Sequence, residues 1–307
     1  GSSRIEADGS KYGPFFFTQE QMKEVVSYAK TLCITVVPEI EMPGHSCAAL
    51  AAYPELSCGI NLPISVEHNW GIFEPNYCLG NPNTIQFLKD ILDEAMEIFD
   101  SEYIHIGGDE VLPDYWLKCP KCQQVWQNNN IKTPMEYQCW FNKQIASFLN
   151  EKGRKMIGWD EILEKSLPKN NSIMAWNSSK TGQEAANMGY SVVLTPNECF
   201  YFDHCQFLKD DHHVYIGGMA KLNDVYTFDP YKNIEKPELI IGVQANTWTE
   251  RMPDFVDVQW KIFPRLCALA EVGWTKPELK NFSDFFKRLN DSHLKRLQNL
   301  DIKYAHQ

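Results

Sequence analysis

One pattern constrains the fold of this chain more than any other. A helical stretch, a short β-branched run and a cluster of acidic, aromatic or histidine residues recur in that order along its length. This is βα repetition. The first helix is predicted from Thr18, an N-cap with Gln21 three residues on, through Met22, Val25, Val26, Ala29 and Leu32 at helical spacing. A strand is expected from Ile34 to Ile40. Helix Asn83 to Phe99 leads into an expected strand from Tyr103 to Ile106, and helix Met135 to Lys152 into one from Lys155 to Gly158. Further strands are expected at Ser172 to Ala175, Ser191 to Leu194 and Leu239 to Val243, and a last helix from Phe282 to Gln298. These strands are nearly continuous apolar runs, as burial on both faces requires, so the sheet is expected to be mainly parallel.

The 307 residues suit a single barrel domain spanning 1–307. With 44% hydrophobic and 22% charged residues, the composition excludes disordered, collagenous and coiled-coil chains. The balance of 29 basic against 40 acidic residues disfavours nucleic acid as a partner. No apolar run approaches the roughly 18–20 residues that span a bilayer, and no signal segment is read at the start. Aromatic residues make up 13% of the chain, and flat rings suit ligands with a flat apolar face, sugars among them. The polar segment Lys209 to Lys236 reads as an ordered loop with extra short elements rather than a domain boundary, with His212 and His213 as solvated surface.

Ten cysteines are scattered through the sequence. Cys119-Pro-Lys-Cys122 is a lone C-x-x-C with no second pair or nearby histidine at zinc spacing, so a loop thiol pair is expected there rather than a metal. Cys58 and Cys78 bracket a Gly/Pro/Asn-rich loop that a disulfide would close in an oxidising compartment. No metal and no cofactor are expected.

The polar clusters all fall at the carboxyl ends of the expected strands, the edge at which parallel α/β folds bind ligands. Glu39, Glu41 and His45 follow the first, Asp109 and Glu110 the second, Trp159, Asp160 and Glu161 the third, Trp176 the fourth, and Trp248 and Glu250 the last. Tyr201 and Asp203 add a phenol and a carboxylate to the same edge. Asp109 and Glu110 follow Gly107-Gly108, a pair that would let a ligand approach the backbone. Side chains alternate along a strand, so two adjacent acids are poorly placed to flank a scissile bond as acid and nucleophile, and different roles are expected for them. Glu110, partly desolvated by tryptophans, would act as a general acid; alternatively the two acids cap a helix. Pro43-Gly44-His45-Ser46 also reads as a turn with Ser46 capping the next helix.

Four of these segments resemble the glycoside hydrolase family 20 β-N-acetylhexosaminidases, especially the bacterial ones. They are Val36 to Ser46 (VVPEIEMPGHS), His105 to Glu110 (HIGGDE), Gly158 to Glu161 (GWDE) and Asn246 to Glu250 (NTWTE). The resemblance implies an α/β fold of TIM type, a (β/α)8 barrel of which about six βα units are present in this chain. It implies removal of terminal β-linked N-acetylglucosamine or N-acetylgalactosamine with retention, the substrate's acetamido oxygen acting as nucleophile. Substrate assistance of this kind dispenses with the second carboxylate that most glycosidases require. By motif position Glu110 is the acid/base, Asp109 holds the acetamido N–H, Tyr201 the acetamido carbonyl, and His45 supports the acid/base. Trp159, Trp176 and Trp248 wall the pocket, and Asp203 and Glu250 bind outer hydroxyls. The resemblance further implies glycan substrates and export to the periplasm, cell surface or medium. Family members carry two earlier strands bearing a sugar-binding Arg and an Asp-Asp pair that have no counterpart here. Weak turnover, or sugar binding without catalysis, is therefore the alternative expectation, with self-association through an open barrel edge.

Overall fold

Five of the apolar runs form one parallel sheet in sequence order. The structure, a computed structural model, describes residues 4–5, 11–12, 16–67, 69, 71–207, 215 and 217–306. Near the start, β1 (Arg4–Ile5) and β2 (Lys11–Tyr12) pair antiparallel. The sheet is then β3 (Tyr103–His105), β4 (Lys155–Trp159), β5 (Ser172–Ala175), β6 (Ser191–Leu194) and β7 (Ile240–Val243), each paired with the next. Ile104 lies opposite Met156, Ile157 opposite Ser172, and Ile173 opposite Val192, while an irregularity at Val192/Val193 shifts the register with β7. Parallel neighbours in chain order, connected through helices, form the wall of an α/β barrel. The expected surface histidines His212 and His213 lie outside the described residues.

The run from Ile34 to Ile40 is extended but is not a full strand. Only its end joins the sheet: Ile40 N–H donates to His105 O (2.9 Å), His105 N–H to Pro38 O (2.9 Å) and Met42 N–H to Ile106 O (3.0 Å). A strand requires ladder partners, and among the described residues none lies beside 34–37, where Ile34 and Val37 are exposed. The expected six strands are thus five plus this one-sided edge.

Thr18 closes a capping box with Gln21 at the start of helix Gln19–Thr31, as its sequence requires. Helices Pro82–Ile98, Pro134–Glu151 and Ser179–Asn187 bury Leu88, Leu92, Phe141, Ile145, Leu149 and Ala185 against the outer face of the sheet. On the opposite face Ile157, Trp159 and Met174 make a smaller cluster with Val193 and Trp176. The long terminal helix is interrupted: Phe282–Arg288 and Leu294–Asn299 flank a π turn at Leu289–His293.

The cysteines depart from expectation. Cys58 and Cys78 do approach, but as members of a cluster with Cys119 and Cys122 in which all four sulfurs lie within 4.8 Å of one another, and all ten cysteines are free. The segment after Cys78 lies directly on the Cys119–Cys122 turn, where Trp116 Nε1 donates to Tyr77 O (2.9 Å) and a side chain at Gly80 would strike the backbone of Lys121 and Cys122.

Candidate active site

Past β3 the chain turns through Gly107 (φ +67°), Gly108 (φ +95°) and Glu110 (φ +50°). These left-handed residues break the strand alternation that would send Asp109 and Glu110 to opposite sides. Both acids instead reach one imidazole: His45 Nε2 lies 3.3 Å from Asp109 Oδ2 and 3.3 Å from Glu110 Oε2. His45 is itself left-handed, at φ +45°. Neither acid caps a helix, because the next one begins at Asp114 behind Pro113. Ser46 does stand at the N-cap position of helix Cys47–Ala52, yet its hydroxyl donates to Pro43 O and Pro75 O. The paired glycines make room for protein, not ligand: a Cβ on Gly107 would strike the Glu41 carboxyl, and one on Gly108 the Ile162 side chain.

The charges here are unequal. Burial first, then the charge of Asp109, pushes the Glu41 carboxyl up to about 10, so it is neutral near pH 7. Burial also raises Glu110, with the His45 charge opposing it. His45 is raised chiefly by its hydrogen bond to Asp109, against burial. Asp109 Oδ2 is occupied by His45, and the neutral Glu41 carboxyl hydrogen-bonds the same carboxylate.

The aromatic wall comes from four strand ends. Trp159 closes β4, Trp176 follows β5, Tyr201 follows the turn after β6, and Trp248 follows β7. Ring centroids are 6.0 Å apart for Trp159 and Trp248, 6.0 Å for Trp176 and Tyr201 at 29°, and 6.5 Å for Tyr201 and Trp248. Carboxylates hold two of the indoles, Trp159 Nε1 donating to Glu39 Oε1 (2.8 Å) and Trp176 Nε1 to Glu161 Oε2 (2.9 Å). That job for Glu39 and Glu161 is not readable from the sequence, since each partner lies on a different strand. Tyr201 is clamped by a parallel bridge to Asn246, and burial raises its phenol well above the ordinary value, so it remains a donor.

Asp203 is buried, with Oδ1 unpartnered, and burial with the charge of Glu250 raises it to about 6. The Tyr201–His204 turn is braced from behind by the fully buried Arg265, whose guanidinium donates to the carbonyls of Phe202, His204, Ala220 and Lys261. Nothing in the local sequence around Arg265 marks it for this.

One cavity of about 590 Å³ is lined by His45, Asp109, Glu110, Trp159, Trp176, Tyr201, Asp203, Trp248 and Glu250, every site residue expected from the sequence. Glu41, Asn69, Gly71, Ile72, Asn197 and His204 complete it. A larger groove of about 810 Å³ beside helix Arg265–Trp274 gathers no comparable set of acids and rings. By position alone His45, Asp109 and Glu110 could also hold a metal, their ligand atoms lying within 4.8 Å of one another. Half-buried acids, one high-pKa phenol and three indoles facing one space suit acid/base work on a polyhydroxyl ligand with an apolar face.

The model of glycosyl hydrolase family 20, catalytic domain, matches residues 1–277. A β-hexosaminidase of Porphyromonas gingivalis is 40% identical over 99% of this chain, which spans 39% of that protein. The crystal structure of a β-N-acetylhexosaminidase from Bacteroides fragilis superposes with a TM-score of 0.83 at 33% identity, over 95% of this chain and 59% of that one. An exo-β-N-acetylglucosaminidase of Vibrio harveyi, solved in complex with N-acetylglucosamine, gives 0.86 at 28% identity, over 99% of this chain and 48% of that one. The parallel sheet is therefore part of a TIM barrel, and the chain belongs to glycosyl hydrolase family 20.

Proposed function

We propose that this chain carries the active site of a β-N-acetylhexosaminidase, which removes terminal β-linked N-acetylglucosamine or N-acetylgalactosamine from glycans with retention and substrate assistance. The observation that carries this reading is the pair of adjacent acids sharing His45 inside the tryptophan-walled cavity. A carboxylate has lone pairs left beyond its protein partners, and an acetamido N–H is a fitting donor to them.

In the first step the acetamido oxygen attacks C1, the glycosidic C–O bond breaks, and the Glu110 proton passes to the departing oxygen. Asp109 accepts the acetamido N–H and offsets the positive charge growing on the oxazolinium ring, while the Tyr201 hydroxyl donates toward the acetamido oxygen and orients it. In the second step water attacks C1, Glu110 takes its proton, and the ring reopens to the N-acetyl group. An attached nucleophile removes much of the entropy of bringing in a second reactant, worth about 7–11 kcal/mol in favourable cases. Trp159, Trp176 and Trp248 exclude water from the acetamido side, and Asp203 and Glu250 accept from sugar hydroxyls. Action on such glycans fits export to the periplasm, cell surface or medium, which fractionation of the source cells tests.

The decisive assay compares 4-nitrophenol release from the N-acetyl-β-glucosaminide and from the plain β-glucoside. Turnover of the first alone is expected, and comparable cleavage of both overturns the mechanism. With N,N′-diacetylchitobiose, whose leaving sugar needs protonation, Glu110→Gln is expected to lower kcat by about 10²–10⁴-fold.

A further inference from the structure

The cavity does not use the cluster of Cys58, Cys78, Cys119 and Cys122. These residues come from three separate stretches: the turn after helix Cys47–Ala52, the approach to helix Pro82–Ile98, and the start of helix Pro120–Asn128. Cys78, Cys119 and Cys122 are buried and Cys58 is half-buried. The sulfur separations are 3.9 Å for Cys58–Cys122, 3.8 Å for Cys78–Cys119 and 3.7 Å for Cys78–Cys122. Four thiolates at about 2.3 Å from one zinc ion define a tetrahedron whose edges are about 3.8 Å. The sulfurs are moreover not sorted into two couples, since Cys78 is as close to Cys119 as to Cys122.

The surroundings fit a charged centre. Cys119 is the N-cap and Cys122 lies in the first turn of helix Pro120–Asn128, where the backbone dipole favours negative charge. The backbone N–H of Gly80 is directed at the Cys122 sulfur. The buried Tyr137 hydroxyl beside Cys122 meets no nitrogen or oxygen partner, and a thiolate there would accept from it.

We propose that Cys58, Cys78, Cys119 and Cys122 form a closed tetrathiolate site for a structural zinc ion, which locks both ends of loop 59–77 onto helix Pro120–Asn128. Four protein ligands leave no open position, so the ion is structural and takes no part in hydrolysis. The loop it clamps places Asn69, Gly71 and Ile72 in the wall of the cavity. A cross-link at the loop base removes closure entropy from the unfolded chain.

The test uses the intact chain, purified without chelating resin. Elemental analysis should give about one zinc per chain, and Cys119→Ser/Cys122→Ser should reduce it at least tenfold while the protein is otherwise handled identically. Should that variant fail to fold, the unaltered protein still decides: exchange with Co²⁺ should produce the intense visible bands and thiolate charge-transfer absorption of a tetrahedral sulfur site. An intact mass four hydrogens below the reduced chain, meaning two disulfides, overturns the proposal. So do four alkylatable thiols that bind neither Zn²⁺ nor Co²⁺. None of these readouts depends on glycoside cleavage.

Discussion

Glu110 is set between two neighbours of opposite effect, with burial and Asp109 raising its pKa and the charge of His45 lowering it. A general acid must hold its proton at the working pH, so the alkaline limb of kcat/KM follows this balance. Removing His45 leaves burial and Asp109 unopposed, and the Glu110 carboxyl then keeps its proton to higher pH. The pH profile of His45→Ala is therefore expected to show a lower maximum and an alkaline limb displaced upward. A limb that stays in place or moves down would separate His45 from the acid/base. The types of residue needed for this chemistry are visible in the sequence, but their meeting at one imidazole is not. It depends on positive φ at Gly107, Gly108 and Glu110, and a glycine in a sequence announces freedom without saying which way the chain will turn.

At the level of elements, β5 and β6 coincide with their apolar runs because both faces are covered, whereas 34–37 has the right composition and no partner to pair with among the described residues. Strand propensity is local; a ladder is not. The cysteine cluster is hidden for the same reason, since Cys58 and Cys122 stand 64 positions apart and tertiary packing unites them, Cys78 N–H donating to Leu56 O while Tyr77 to Gly80 lies on the Cys119–Cys122 turn. The β3–Asp109 connection is held by both backbone conformation and packing. Gly107→Ala must hold a left-handed backbone, a cost of about 1–3 kcal/mol, and must also displace the Glu41 carboxyl. A lower urea midpoint together with reduced kcat is expected, and an unchanged midpoint would show that the turn relaxes freely.

For the whole molecule, the outer edge of β7 and the segment beside β3 have no strand partners among the described residues, and Ile34, Val37 and Ile241 are exposed there. Such edges invite pairing with another chain. Light scattering after size exclusion is expected to show mass rising with concentration, and Ile241→Lys should reduce the rise; a monomer at every concentration would contradict the expectation. The two sides of the cavity are built differently. The turn carrying Tyr201 and Asp203 supplies two of the four carbonyls gripped by Arg265, so a change there disturbs a fully buried cation. The loop opposite contributes, among the described residues, Asn69, Gly71 and Ile72 and is tethered at its base. Drift among descendants of this protein is thus expected to accumulate in that loop, letting lineages reshape one wall of the cavity while the acids and rings opposite are inherited intact.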